Sequence, residues 1–272
     1  MCIEGITQAQ RSGVPHAVCY AVLGSGSSGN AYAFETQGHL FLVDAGFKAK
    51  VIIERLQMLG FSLFKPTTIF CTHTHQDHLL GVGELASHLD ALVVGAPILL
   101  ENLLDKFPQL RSWSIALDAN YSLSEGGFST FATSHDAPES LSYLLELEGI
   151  RFMVLTDTGV ILPPMYRMAY YSHVLFLEAN YNEELLQAGR YPPFLKRRIS
   201  GRKGHLSNEQ AVQFLQKIAH SPHLKQLFLC HLSKDNNRVE LVRDEVAQAH
   251  AGRWQSHVCA HAQASAVYRG LA

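Results

Sequence analysis

His73-Thr74-His75-Gln76-Asp77-His78 is the stretch on which the fold turns. It lies between an apolar strand-like run, 67–71, and a segment of helical spacing, 79–88. Polar side chains have no packing reason to interrupt a strand-to-helix junction in this way. They do have a chemical one. His73 and His75, two residues apart, can converge on one ion, while Asp77 and His78 on the following turn can face an adjacent ion. Imidazole with carboxylate suits Zn²⁺, Mn²⁺ or Fe²⁺.

Working outward, 17–23, 31–34 and 40–43 read as strands of a meander, followed by a helix over 51–59 that stops at Gly60. A strand at 91–94 follows the motif. Strands at 128–133, 141–147 and 151–156, the last two joined by a hairpin loop at 148–150, repeat the opening pattern. Strands at 174–178 and 226–230 then alternate with helices at 182–188, 208–219 and 239–249. Ser207 and Gln210 form a capping box ahead of the apolar stripe Ala211, Phe214, Leu215 and Ile218, which fixes the start of the 208–219 helix. Strands covered by helices in both halves predict an α/β sandwich.

The composition agrees. The chain has 272 residues, 47% hydrophobic and 17% charged, with a net charge of −2, which excludes a disordered tail and leaves ample material for a core. No linker-like segment divides it, so one domain over 1–272 is expected, with 1–15 as an N-terminal extension. The longest nearly apolar stretch, 91–100, falls short of the about 18–20 residues of a membrane helix. The N-terminus lacks a signal-peptide pattern, and a cytoplasmic location is expected. Cys2, Cys19, Cys71, Cys230 and Cys259 form no CxxC pair and read as reduced thiols. The anomaly is histidine, 15 in all, several grouped with aspartate.

At the motif, the sequence resembles the metallo-β-lactamase superfamily, whose HxHxDH signature is met by His73, His75, Asp77 and His78. The resemblance extends through Asp44-Ala45-Gly46, Ser134-His135-Asp136, Thr156-Asp157-Thr158-Gly159 and Cys230-His231-Leu232-Ser233, each following a predicted strand. It implies a four-layer αββα sandwich. It also implies two divalent ions, zinc or manganese with iron as an alternative: His73, His75 and His135 on one, Asp77, His78 and His231 on the other, and Asp157 between them. Asp44 is either an acceptor that orients the motif or simply part of a turn.

Two further segments resemble the YycJ-like branch, which is linked to DNA exonucleases: the glycine-rich loop Gly24-Ser25-Gly26-Ser27-Ser28-Gly29-Asn30, and Gly204-His205-Leu206-Ser207-Asn208. The loop is not a Walker motif, lacking Gly-Lys-Ser/Thr. Ser25, Ser27, Ser28, Asn30 and Ser207 are candidate substrate contacts on this resemblance. In RNase Z-like relatives a histidine at the place of His205 protonates the leaving oxygen beside a glutamate, which makes Glu178 of Leu177-Glu178-Ala179-Asn180 its expected partner. Where the branch pattern has Asn-His-Asp the chain has Asn180-Tyr181-Asn182, with no metal ligand lost.

Lys196, Arg197, Arg198, Arg202 and Lys203 precede His205, and a basic run beside the site would neutralise a polyanionic backbone. Tyr191 and Phe194 beside it can stack on bases or simply pack. The expected activity is therefore that of a metal-dependent phosphodiesterase, a 5′-to-3′ DNA exonuclease whose two metals turn a shared water into the attacking hydroxide. Asp77 would orient that water, and DNA is favoured over RNA as partner. RNA processing, cyclic-nucleotide hydrolysis and hydrolysis of small esters, thioesters or lactones are the alternatives on the same ligands. A metal-binding module without turnover is the non-enzymatic one.

Overall fold

A computed structural model of the chain describes residues 17–250, 252–259 and 263–270. The N-terminal extension, Cys2, His16 and His261 lie outside the described residues. The first half opens with the antiparallel meander β1 (Val18–Gly24), β2 (Ala31–Glu35) and β3 (Leu40–Val43), and continues through the parallel strands β4 (Thr67–Phe70), β5 (Leu92–Gly95) and β6 (Arg111–Ser114). Helices α1 (Ala49–Met58), α2 (Gln76–Leu79), α3 (Val82–Leu89) and α4 (Pro97–Leu104) fill the crossovers.

The second half repeats the plan. An antiparallel meander of β7 (Asn120–Leu123), β8 (Gly126–Ala132), β9 (Leu141–Leu147) and β10 (Ile150–Leu155) leads into parallel β11 (Val174–Glu178), β12 (Gln226–Cys230) and β13 (Gln255–Val258). The helices here are α5 (Pro163–Tyr171), α6 (Glu183–Ala188), α7 (Pro193–Ile199), α8 (Asn208–Lys217) and α9 (Val239–His250). Strand β14 (Tyr268–Gly270) returns to pair with β1, so among the described residues each sheet has seven strands.

Strand alternation builds the layers. Tyr20, Val22, Phe34, Phe41 and Val43 meet Tyr143, Phe152, Val154, Phe176 and Phe228 between the sheets, an aromatic-rich core. The alternate residues face outward: Leu23, Leu40 and Leu42 pack under Ile52, Leu85 and Leu99 of the first helical layer. Met153, Leu155, Leu177 and Leu229 pack under Met165, Phe214 and Val242 of the second. Both faces of each central strand are therefore apolar, as buried strands require. Emptying the centre, for example Phe176→Ala, is expected to cost about 3–5 kcal/mol.

The predicted αββα sandwich is observed, with local corrections. The single helix expected over 79–88 is two, α2 and α3, broken at Gly81, whose amide donates to the Ala45 carbonyl at 2.8 Å. A Cβ there would sit 2.1 Å from the Phe47 carbonyl oxygen, so only glycine permits this contact. The second hairpin loop is two residues, Glu148 and Gly149, both at positive φ, and Ile150 already belongs to β10. Among the described residues no helix is long and apolar enough to cross a membrane.

Candidate metal centre and cleft

Strand ends supply the site. Asp44 follows β3, the histidine motif follows β4, Asp157 follows β10, Glu178 ends β11 and His231 follows β12. Asp44, Asp157 and His231 each take a left-handed backbone, with φ of 59°, 56° and 55°. That conformation costs a non-glycine residue roughly 1–2 kcal/mol, and buried residues that bear it mark a place where side-chain direction matters more than strain. A close approach helps to assemble the loops: a Cβ on Gly46 would stand 1.7 Å from the Asp77 carbonyl oxygen.

The structure gathers the candidate ligands. Ligand atoms of His73, His75 and His135 lie within 4.8 Å of one another, as do those of Asp77, His78 and His231 and those of His73, His78 and Asp157. Asp157 lies between the groups, its carboxylate oxygens 3.2 Å from His78 Nε2, 3.5 Å from His231 Nε2 and 3.7 Å from His135 Nε2.

Buried acceptors fix the ring orientations. Asp44, wholly buried, accepts from His78 Nδ1 at 2.7 Å and from the Thr72 amide and hydroxyl, and that hydroxyl in turn accepts from His73 Nδ1 at 3.0 Å. Glu178, also wholly buried, accepts from His205 Nδ1 at 2.7 Å and from His231 Nδ1 at 3.1 Å. The Gly204 carbonyl accepts from His135 Nδ1 at 3.2 Å. For His73, His78, His135 and His231 the bond leaves the other ring nitrogen, Nε2, facing the centre. Asp44 is thus an acceptor that orients the motif.

These residues fit divalent ions. His73 Nε2, His231 Nε2 and Asp157 Oδ2 are buried with no hydrogen-bond partner, the condition of atoms placed for coordination. His75 Nδ1 and His135 Nε2 are 3.2 Å apart, close to the about 3.3 Å expected for two imidazoles on one tetrahedral ion. Electrostatics point the same way. Burial and His78 push His73 well below the usual imidazole range, and burial with His135 lowers His75, so both offer neutral nitrogens. Burial opposes charge on His78 and His231 too, but Asp157 outweighs it and drives both well upward. Asp157 itself, despite burial, is held well below the carboxylate range by His231 and His78. Its buried negative charge calls for cations.

A cleft of about 390 Å³ opens on this centre, lined among others by Ser27, Asp77, His135, Arg198, His205 and His231. Of the basic run only Arg198 lines it; Arg197, Arg202 and Lys203 are exposed on the surrounding surface. Ser28 is likewise exposed and outside the lining. Three candidate substrate contacts are corrected, because their polar groups are buried and already used. Ser25 accepts from the His231 amide and bonds Asn30 and Tyr32. Asn30 bonds the backbone of Gly26 and lies 3.1 Å from His78 Nε2, and Ser207 caps α8 through the Gln210 amide. Tyr181 and Asn182 are structural, the first buried and bridged to Ser207, the second capping α6.

Sequence reasoning gave no role to Asn180, whose amide donates to the His231 carbonyl at 2.8 Å, or to Asp136, which lies 3.5 Å from His75 Nε2 and from His135 Nε2. Asp136 directly follows a candidate ligand, and that adjacency was the one available signal. Cys71 and Cys230 are buried as expected, with Cys230 Sγ 3.7 Å from Cys259 Sγ.

Histidines and aspartates converging at the strand ends of an αββα sandwich define the metallo-β-lactamase class. The profile of the metallo-beta-lactamase superfamily matches residues 24–167, and the chain belongs to that superfamily. It is 31% identical over 232 residues to exodeoxyribonuclease YycJ of Bacillus anthracis, covering 84% of this chain and 88% of that protein. To exodeoxyribonuclease WalJ of Streptococcus pneumoniae it is 32% identical over 255 residues, covering 86% and 90%. The crystal structure of the metallo-beta-lactamase fold protein YhfI from Bacillus subtilis shares the fold at a TM-score of 0.72 and 14% identity, covering 93% of this chain and 100% of that one.

Proposed function

We propose that the chain is a metal-dependent phosphodiesterase that removes nucleotides from the 5′ end of DNA. The observation that carries this reading is Asp157 set between two histidine groups, with the Glu178–His205 pair beside it. The names of the Bacillus anthracis and Streptococcus pneumoniae relatives support DNA as substrate.

In the proposed mechanism His73, His75 and His135 would hold one divalent ion and Asp77, His78 and His231 the other, with Asp157 available to either. Zinc or manganese suits this set, with iron as an alternative. Such a pair supplies Lewis acidity, lowering the pKa of a water and drawing charge from the phosphoryl oxygens. Asp77 Oδ2, 3.5 Å from His231 Nε2 and partly exposed to the cleft, accepts a hydrogen bond from the attacking water and aims it. His205, with Nδ1 tied to Glu178, turns Nε2 toward the cleft and delivers a proton to the departing 3′ oxygen. The Glu178 carboxylate stabilises the imidazolium before that transfer and holds the ring in place. Ser27 and Arg198 contact the phosphate backbone at the cleft, and Arg197, Arg202 and Lys203 attract it from outside.

The test uses chelator-stripped protein reloaded with Mn²⁺ or Zn²⁺, a 5′-phosphorylated duplex and its single strand, each labelled at either end, and Asp77→Ala alongside. Stepwise release of nucleotides from the 5′ end, absent in the variant, is the expected result. Bound metal without digestion of either DNA would overturn the reading.

A further inference from the structure

The segment from Tyr191 to His205 contributes one wall of the cleft, beside the gathered histidines. Its helix α7 buries none of its own residues, so core packing does not account for its sequence. Leu195, Arg198 and Ile199, at i, i+3 and i+4, share one helical face and all line the cleft. Arg198 is 61% exposed at its side chain, yet its Nε donates to Asp136 Oδ2 at 2.6 Å. Its two Nη groups have no partner among the described residues. Asp136 is itself beside His75 and His135, so the open end of the guanidinium is held next to the metal centre.

We propose that this wall is a subsite for the 5′-terminal nucleotide of DNA and that Arg198, positioned by Asp136, reads its terminal phosphate; the inference rests on the exonuclease reading above. His205 lies on the same wall and faces the departing 3′ oxygen, so the nucleotide that carries this oxygen must lie along it. Leu195 and Ile199 give that nucleotide an apolar surface, and Tyr191, its hydroxyl donating to Asp235 at 2.7 Å, gives it a fixed ring. A guanidinium fork matches a phosphate bidentately, and a terminal monoester carries more negative charge than an internal diester. With Nε committed to Asp136, the fork binds end-on through both Nη groups, which restricts it to one phosphate orientation.

The experiment compares kcat/KM for oligonucleotides that differ only in a 5′-phosphate or a 5′-hydroxyl, with bound metal measured in every preparation. The parent protein is expected to prefer the phosphorylated end by roughly ten- to a hundredfold. Arg198→Ala should bring the ratio close to one, chiefly through KM. Asp136→Ala should lower it, and Asp136→Asn, which keeps an acceptor for Nε, should restore much of it. Digestion of both ends at equal rate by the parent, or an undiminished preference in Arg198→Ala, overturns the subsite while leaving the exonuclease intact. Equal ratios in Asp136→Ala and the parent overturn the positioning role. Absence of any digestion with metal bound removes the exonuclease reading and this subsite with it.

Discussion

The two walls of the cleft are built on opposite terms. On the histidine wall most candidate ligands are buried, and the buried acceptors Asp44 and Glu178 fix the rings of His78 and His231, while the Gly204 carbonyl reaches His135 from the neighbouring segment. The wall that contains α7 has no buried residue in its helix and is docked by a few bonds: Ser134 Oγ donates to the Arg202 carbonyl at 2.7 Å, and Arg198 to Asp136. A glycine permits that docking, since a Cβ on Gly159 would meet the Gly201 carbonyl oxygen at 2.4 Å. Buried, mutually dependent polar groups fail together when one is removed, whereas exposed ones act nearly alone. On the proposed reading the first wall holds the metals and aims the water, and the second carries the proton donor His205 and chooses the substrate.

The largest effect is therefore expected at the point the first wall shares. Asp157→Asn keeps a residue that tolerates a positive φ but removes the charge between the two groups, and turnover should fall at least about 10³-fold with loss of bound metal by elemental analysis. His205→Ala should lower kcat by roughly 10²-fold or more while metal content stays at the parent level, if His205 transfers a proton as proposed; loss of metal would assign it instead to the Asp157, Glu178, His205 and His231 group. Asp44→Asn comes next. It touches no substrate, so competition with a chelator should reveal a loss of about 10–100-fold in metal affinity, through the freed His73 and His78 rings. An unaltered affinity would break the contrast between the walls, since it would mean that a buried acceptor is as dispensable as an exposed one.

The same contrast explains what was legible in the sequence. His73, His75, Asp77 and His78 stand out because ligand spacing at a strand-to-helix junction is a local pattern; β3, β11 and β12 have the expected bounds because buried strands are nearly continuous apolar runs, and β9 because Leu141, Tyr143, Leu145 and Leu147 alternate along it. Helix α7 begins at Pro193, directly after Pro192, and buries nothing, so it has no apolar period to read. Helices α4 and α5 also begin at prolines, and the edge strands β6, β7, β13 and β14 carry mixed, partly exposed side chains, so none of these registers as an element. Ser25, Asn30 and Ser207 show a different limit. A sequence displays a hydroxyl or amide but not whether it is already spent, and all three are spent inside the protein.

On the outer wall the effects should be graded and dependent on salt. Arg197 and Arg202 are exposed and lie outside the cleft, so they can attract DNA without touching the reacting phosphate. Replacing both by glutamine should weaken DNA binding a few-fold at low salt and reduce the slope of log K against log salt by roughly one for each phosphate no longer neutralised. Hydrolysis of a small phosphodiester should change less than digestion of the polymer. Equal reductions on both substrates would assign these cations to the chemistry and erase the distinction between the walls.

The smallest effect separates the catalytic edge from the opposite end of the same sheet. Strand β11 begins just after His173 and ends at Glu178, and the two ends differ in charge: Glu178 is surrounded by histidines, His173 by cations. Burial, reinforced by Arg151, His223 and Lys225, pushes His173 down to about 4, and its Nδ1 accepts from the Arg151 amide at 2.9 Å. The unfolded chain takes up a proton near pH 6.5 that the folded chain refuses until much lower pH. The stability contributed by neutral His173 is thus complete above about pH 6.5 and is lost as pH falls toward 4. Partial exposure of the ring screens the effect, so it should be modest. His173→Asn keeps an acceptor for the Arg151 amide and does not titrate. Urea unfolding at pH 7 and pH 5 should show a smaller acid loss in this variant than in the parent, and equal losses would refute the assignment. Because His173 lies outside the cleft, the variant should keep the acid inactivation expected on the proposed reading, in which protons would compete with metal for the histidine nitrogens.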